Sequence, residues 1–268
     1  MKKHQVKKLI AAVATIAGVL SAVAPASASI FTWGDWTKTH EVEDKLTDNS
    51  AFPSFIEKFQ EFVQPETISI PENSLNKLDP TKLSLKYDHN VRIWFLNEGA
   101  GYKNQLAYEA IKGNDYQKGL LFNNISCDIS QSANSKCQIG EESPEGVLDI
   151  GDYVDLGKIP GGTQLNFFTK ANGFNDPNGY VYGANAETNP DGLEHLVAYE
   201  VNDYLLLGFE DLYGPEGPSD RDFNDVVFVL DFGKDNIASV PEPASAIALL
   251  GVGAVSLLKL RHRQNQAG

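Results

Sequence analysis

The chain has little sulfur and little positive charge. Its 268 residues include two cysteines, one methionine and five histidines, and 22 lysines and arginines stand against 36 aspartates and glutamates. With only His40, His89 and His195 scattered between residues 29 and 239, a zinc centre lacks the clustered nitrogen and thiolate ligands it needs. The shortage of basic residues deepens once the ends are set aside. Four lysines lie in the first 28 residues, and three basic residues and one glutamate lie after residue 239, leaving 15 basic and 35 acidic residues in 29–239, a net charge of −20. A surface that acidic repels nucleic acid, and repels anionic polysaccharide unless divalent cations mediate, so it favours a role involving cations. Also absent are a G-x-S-x-G nucleophile elbow, an H-E-x-x-H zinc motif, a phosphate-cradling glycine loop and any internal repeat. No apolar run reaches the ~20 residues of a full membrane span.

What the ends contain is directional. Lys2, Lys3, Lys7 and Lys8 precede an apolar run from Leu9 to Leu20, and Ala26-Ser27-Ala28 supplies a small-residue cleavage site. Residues 1–28 therefore read as a secretory signal peptide. The C-terminus reverses that layout over residues 240–268: Pro241-Glu242-Pro243, an apolar run from Ala244 to Leu258, then Lys259, Arg261, His262 and Arg263. Fifteen apolar residues are marginal for a bilayer, and the basic tail marks the cytoplasmic side. This three-part order resembles a PEP-CTERM sorting signal. The resemblance implies export through the inner membrane, transient anchoring by the C-terminal transmembrane helix, and cleavage near Pro-Glu-Pro by an exosortase-type enzyme. The expected destination is the cell surface or extracellular matrix. In that oxidising setting Cys127 and Cys137, ten positions apart in a Ser/Asn-rich segment, are expected to form a disulfide that closes a local loop.

Between the ends, residues 29–85 read as an N-terminal extension. Its helical candidate is Pro53 to Gln64, where Phe55, Ile56, Phe59, Phe62 and Val63 recur at three- and four-residue spacing and form a packing face. From Val91 onward the texture changes to short apolar or alternating runs, each bounded by Gly, Asn, Asp and Pro. Strands are expected at Val91–Leu96, Gly119–Phe122, Tyr153–Leu156, Gln164–Phe168, Tyr180–Tyr182, Leu196–Val201, Tyr204–Phe209 and Val226–Phe232. Strands without intervening helices point to a mainly β fold, an antiparallel β-sandwich or jelly-roll-like domain over residues 86–239, with the short helical extension before it and targeting helices at both termini.

The segment Val91-Arg92-Ile93-Trp94-Phe95-Leu96-Asn97-Glu98-Gly99-Ala100-Gly101-Tyr102 with Asn104 and Leu106 is followed by Gly161-Gly162-Thr163. Phe209-Glu210-Asp211-Leu212 and Asp220-Arg221-Asp222-Phe223-Asn224-Asp225 complete the series. Together they are similar to the bacterial domain-of-unknown-function family numbered 4114, across roughly Lys86 to Phe232. The resemblance implies an exported β-rich domain and supplies no activity. Ala107 stands where a glycine is typical, and Pro218-Ser219 where Gly-Gly usually precedes the acidic cluster.

That cluster carries the chemistry. Glu210, Asp211, Asp220, Asp222 and Asp225, with Asn224, crowd one turn between two apolar strands. Like charges at that density repel unless a cation sits among them or water solvates each one. Asp220, Asp222 and Asn224 occupy positions 1, 3 and 5 of a D-x-D-x-N pattern, which turns alternate oxygens to one centre, as Ca²⁺ requires. An EF-hand is rejected, because its position 6 would be glycine where this chain has Asp225, and a strand follows. The expectation is a β-type calcium turn in which Asp220, Asp222 and Asn224 ligate, Glu210 and Asp211 join from the preceding strand, and Asp225 ligates or ties the loop down. Phe223 should face the core, and Arg221 solvent or Glu216.

Competing readings stay open. Asp and Asn form turns by bonding their own backbone, and Glu210 with Asp222 has the spacing of a glycosidase pair, although no other catalytic feature supports an enzyme. A carbohydrate-binding, lectin-like module is the alternative, with extracellular polysaccharide as partner. Trp33, Trp36, Tyr102, Tyr108, Tyr180, Tyr182 and Tyr213 supply its aromatic surfaces. His195 reads as a strand-edge residue. The function expected is a non-enzymatic exported surface protein with a structural calcium site.

Overall fold

The computed structural model describes residues 39–63, 68–71, 75–99, 101–127, 137, 147–214 and 219–238. The signal peptide, the sorting signal with its apolar helix, Trp33, Trp36, Glu216 and Pro218 lie outside them. Among the described residues, no helix is long and apolar enough to cross a membrane.

Among the described residues, ten strands form two antiparallel sheets: β1 (Asn76–Leu78), β2 (His89–Glu98), β3 (Asn104–Lys112), β4 (Asp115–Ile125), β5 (Tyr153–Ile159), β6 (Gln164–Lys170), β7 (Val181–Gly183), β8 (Leu196–Val201), β9 (Tyr204–Phe209) and β10 (Val226–Asp231). One sheet runs β1-β8-β9-β10-β2-β5 and the other β4-β3-β6-β7. The sheets pack face to face, with Phe167 of β6 edge-on to Phe228 of β10 at 5.6 Å between ring centroids. The fold is the mainly β sandwich that the strand pattern predicts.

Register explains the sequence texture. Phe95, Phe228, Leu207 and Ala198 lie opposite one another in successive strands and share the face turned to the second sheet. Trp94, Val229, Leu206 and Tyr199 share the other face, and residues from the N-terminal extension cover it. Phe52 stacks on Trp94 at 4.3 Å, and Phe52 and Phe59 both meet Tyr204. A strand buried on both faces needs apolar residues at every position, which is why β10 reads Val-Val-Phe-Val-Leu without alternation. The helical candidate is shorter than its periodicity suggests: a 3₁₀ turn at Phe52–Phe55, entered through Pro53, leads into α1 (Ile56–Gln60). Its stripe still packs, with Ile56, Phe59 and Val63 buried.

Two tight hairpins set the strand order. β3 and β4 are joined by Gly113-Asn114, with Gly113 at φ +59°, and β8 and β9 by Asn202-Asp203, with Asn202 at φ +55°. Two-residue turns of this kind need positive φ, which Gly and Asn supply. Cys127 and Cys137 are bonded to each other, and the Cys137 amide donates to the Asn97 carboxamide oxygen at 3.1 Å, tying the disulfide to the end of β2. Replacing both cysteines by serine should lower stability by about 2–5 kcal/mol, read as a shift in the thermal midpoint.

Candidate functional site

At one end of the sandwich the last residue of β9 lies opposite the first of β10, Phe209 against Val226. That register brings Glu210-Asp211, leaving one strand, beside Asn224-Asp225, entering the other. The Gly99 amide donates to the Asp225 carbonyl at 3.2 Å and ties in the end of β2. Asn104, at the start of β3 in the facing sheet, donates its amide to Asp211 Oδ2 at 2.5 Å. Both sheets therefore hold the turn.

The D-x-D-x-N segment has a specific backbone shape. Arg221 and Phe223 adopt left-handed conformations, φ +61° and +59°, on either side of Asp222. For bulky L-residues this is strained, and it persists only where surrounding structure imposes it. Here the anchors are visible. The Ile70 amide donates to the Asp222 carbonyl at 3.4 Å, the Asn224 amide to Asp222 Oδ1 at 3.0 Å, and the Asn224 side chain to the Ile68 carbonyl at 3.1 Å. Phe223 is buried, as expected, and Arg221 lies over its ring at 5.0 Å. Gly208 lets the turn approach β9, because a Cβ there would stand 2.3 Å from the Phe223 carbonyl oxygen. Gly208→Ala should cost about 1–3 kcal/mol through overpacking, measurable by denaturant unfolding.

Glu210, Asp222 and Asp225 each turn a carboxylate oxygen to within 4.8 Å of the other two, and all three are buried. Asp211 is attached to this triad: its amide donates to Asp225 Oδ2 at 2.7 Å. Asp220, by contrast, is exposed. Asn224 is buried, with its side-chain amide turned to Ile68 and its backbone carbonyl accepting from the Asn97 side chain. Among the described residues, Glu210 Oε2 and Asp211 Oδ1 have no hydrogen-bond partner, and neither of these residues nor Asp225 makes an ion pair. Burial, then the charges of neighbouring carboxylates, pushes the Asp225 carboxyl up to about 10 and that of Asp211 up to about 7. Burial also raises Glu210. The group as it stands holds more carboxylates than it can ionise together, the condition a bound cation relieves.

Residues 159–233 match a family described as Domain of unknown function (DUF4114). The DUF4114 segment opens at the end of β5, runs through β6 to β10, and contributes every acidic residue of the turn. Residues 239–264 match the PEP-CTERM protein-sorting motif. The chain is thus an exported protein with a C-terminal signal of the kind exosortase processes. No curated protein and no solved structure matches it.

The DUF4114 segment also supplies support that the sequence pattern did not assign. His195 stands immediately before β8, where its carbonyl accepts from the Glu210 amide at 3.1 Å, and it is fully buried. Its Nδ1–H donates to the Glu210 carbonyl at 2.8 Å, its Nε2 meets Asp191 Oδ2 at 2.8 Å, and its ring stacks on Tyr182 at 3.7 Å. The Asp191-to-His195 spacing around Gly192 was the available sequence signal. Asn104 gave no such signal, because its partner lies across the sandwich.

Proposed function

We propose that this exported, non-enzymatic surface or matrix protein holds a structural Ca²⁺ ion in the turn between β9 and β10. The observation that carries the reading is the buried triad Glu210, Asp222 and Asp225, converging within 4.8 Å, with Glu210 Oε2 and Asp211 Oδ1 buried and, among the described residues, unpartnered beside it. Burial argues against a solvated turn. A hard cation taking ~6–8 oxygens at ~2.3–2.6 Å suits a set made only of oxygen donors. The ion offsets carboxylate repulsion, and the turn it orders joins β9 to β10 in the centre of the six-stranded sheet. Glycosidase carboxyls flank an open substrate cleft ~5–9.5 Å apart, whereas these are tighter and below the surface. Outside the cell even the ~10⁻⁴–10⁻³ M affinity typical of extracellular modules suffices.

The test is a thermal melt of the full chain in calcium, in magnesium and in chelator. At calcium about 100-fold above the dissociation constant, binding stabilises by about 2.7 kcal/mol, roughly 5–10 °C for a domain of this size. Magnesium, which prefers a smaller octahedral shell, should give much less. Identical melts in calcium and chelator would sink the reading, as would an equal calcium response in an Asp222→Ala, Asp225→Ala variant.

A further inference from the structure

Beside the acidic turn lies an open cleft of about 450 Å³ whose floor includes Tyr182 and Asp211. Three tyrosines on its walls, Tyr102, Tyr180 and Tyr213, are 40%, 53% and 44% exposed. They come from three separate stretches: the β2–β3 connection, the segment before β7, and the acidic turn. Tyr180 and Tyr213 stand 5.5 Å apart between ring centroids, tilted by 35°, and Tyr180 also meets the buried Tyr182 at 6.3 Å. Large aromatic faces held together in a concave site and left in contact with water are costly unless something covers them.

The rim is polar and rigid. Asn172, Asp176 and Asn178 line it. The Asp176 amide donates to the Asn172 carbonyl at 2.8 Å, the Asn178 amide to Asp176 Oδ1 at 2.8 Å, and the Gly179 amide to the Asp176 carbonyl at 3.1 Å. Gly179 packs so closely that a Cβ there would lie 2.0 Å from the Ala171 carbonyl oxygen. Among the described residues, no cationic side chain lines the cleft, and two carboxylates do.

We propose that this cleft is a binding site for neutral, hydroxyl-rich saccharides, with sugar rings lying on Tyr180 and Tyr213. A pyranose presents C–H groups on one face and hydroxyls around its edge. The tyrosine rings match the face at low conformational cost. Asn172, Asn178 and Asp176 supply donors and acceptors for the edge. The volume falls in the range of small-molecule sites, ~300–1,000 Å³. Asp176, Asp211 and the acidic surface disfavour uronic acids, sulfated sugars and nucleic acid. The site stands on these residues and does not depend on the metal reading, although Tyr213 follows Asp211 by two positions, so an ion in the turn would also steady one wall.

The test is calorimetric titration of the full chain with gluco-, manno- and galacto-oligosaccharides and with an oligogalacturonate, each in calcium and in chelator. At least one neutral oligosaccharide should bind, the oligogalacturonate should not, and a Tyr180→Ala, Tyr213→Ala variant should lose about tenfold or more in affinity. Both tyrosines are exposed, so the variant should keep its melting temperature. Tyr87→Phe, near Gly161 at the opposite end of β6, should bind as the unmodified protein does. No binding of any neutral probe, binding unchanged in the double variant, or equal binding of the oligogalacturonate would overturn the proposal. Saccharide binding without a calcium-dependent melt would overturn the metal reading alone, and the converse would overturn the saccharide site alone.

Discussion

Asp225→Asn is expected to raise the melting temperature in chelator and to lose that gain in calcium. Asp225 is buried beside Glu210, Asp211 and Asp222, and burial together with their charges raises its carboxyl to about 10. A carboxyl whose folded pKa lies above its unfolded value, ~3.9, contributes stability that is fully present below pH ~4. That contribution is lost as the pH climbs through the folded value. Near neutral pH the metal-free protein therefore bears the cost of protonating or crowding this group. Asparagine removes the charge and keeps an oxygen to accept the Asp211 amide, now bonded to Asp225 Oδ2 at 2.7 Å. The gain without metal should be on the order of 2 kcal/mol, roughly 4–8 °C. In calcium the same substitution deletes a charged ligand, and most of the ~2.7 kcal/mol of binding stabilisation should go with it. A turn-forming aspartate predicts the same shift in both buffers. Paired melts at pH 7.5 decide the matter, and an equal rise in calcium and in chelator would refute the shared-cation account.

The parts of this structure legible in the sequence are those whose causes are local. β8 and β9 begin and end where their apolar runs do, Leu196–Val201 and Tyr204–Phe209. β10 was legible because a strand covered on both faces must be apolar throughout. β3 was not. Ala107, Glu109 and Ala110 have low strand propensity, and their place is fixed by pairing with β4 and β6 and not by their own pattern. β1 is three residues long and exists as a strand only because β8 is there to pair with.

The same division runs through the site. The acidic residues stand together in sequence, so their crowding could be read directly. Which of them converge could not: Asp220 is exposed while Asp222, two residues on, is buried, a difference created by the left-handed Arg221 and Phe223. The aromatic residues show the limit most clearly. Tyr108 and Tyr182 are buried, Tyr182 in the floor of a cleft, whereas Tyr102, Tyr180 and Tyr213 stand exposed on its walls, and only the meeting of three distant loops separates the two sets.

Asp191→Ala should be among the most damaging substitutions in the domain, although residue 191 belongs to no strand. Its side chain and that of His195 are both fully buried. Asp191 Oδ2 accepts from His195 and from the Gly214 amide at 2.8 and 3.0 Å, and Oδ1 accepts from the Leu193 amide at 3.1 Å. Burial opposes the charge, but these hydrogen bonds prevail and hold the carboxyl below its ordinary range. Alanine would strand the ring and two backbone donors in the interior, and breaking a buried pair from one side costs about 3–5 kcal/mol, roughly 10 °C. Because the folded pKa is depressed, the contribution is present above the unfolded value of ~3.9 and is lost as the pH falls through the folded one. The gap between Asp191→Ala and the unmodified protein should therefore narrow in acid, which denaturant titrations at pH 7 and pH 3 would show. A second consequence separates this pair from ordinary core packing. His195 holds the Glu210 carbonyl, so the calcium response should weaken in Asp191→Ala, whereas Phe59→Ala, which lowers stability from the far side of the sheet, should leave it intact. Equal calcium responses in the two variants would mean that the histidine supports the fold without positioning the turn.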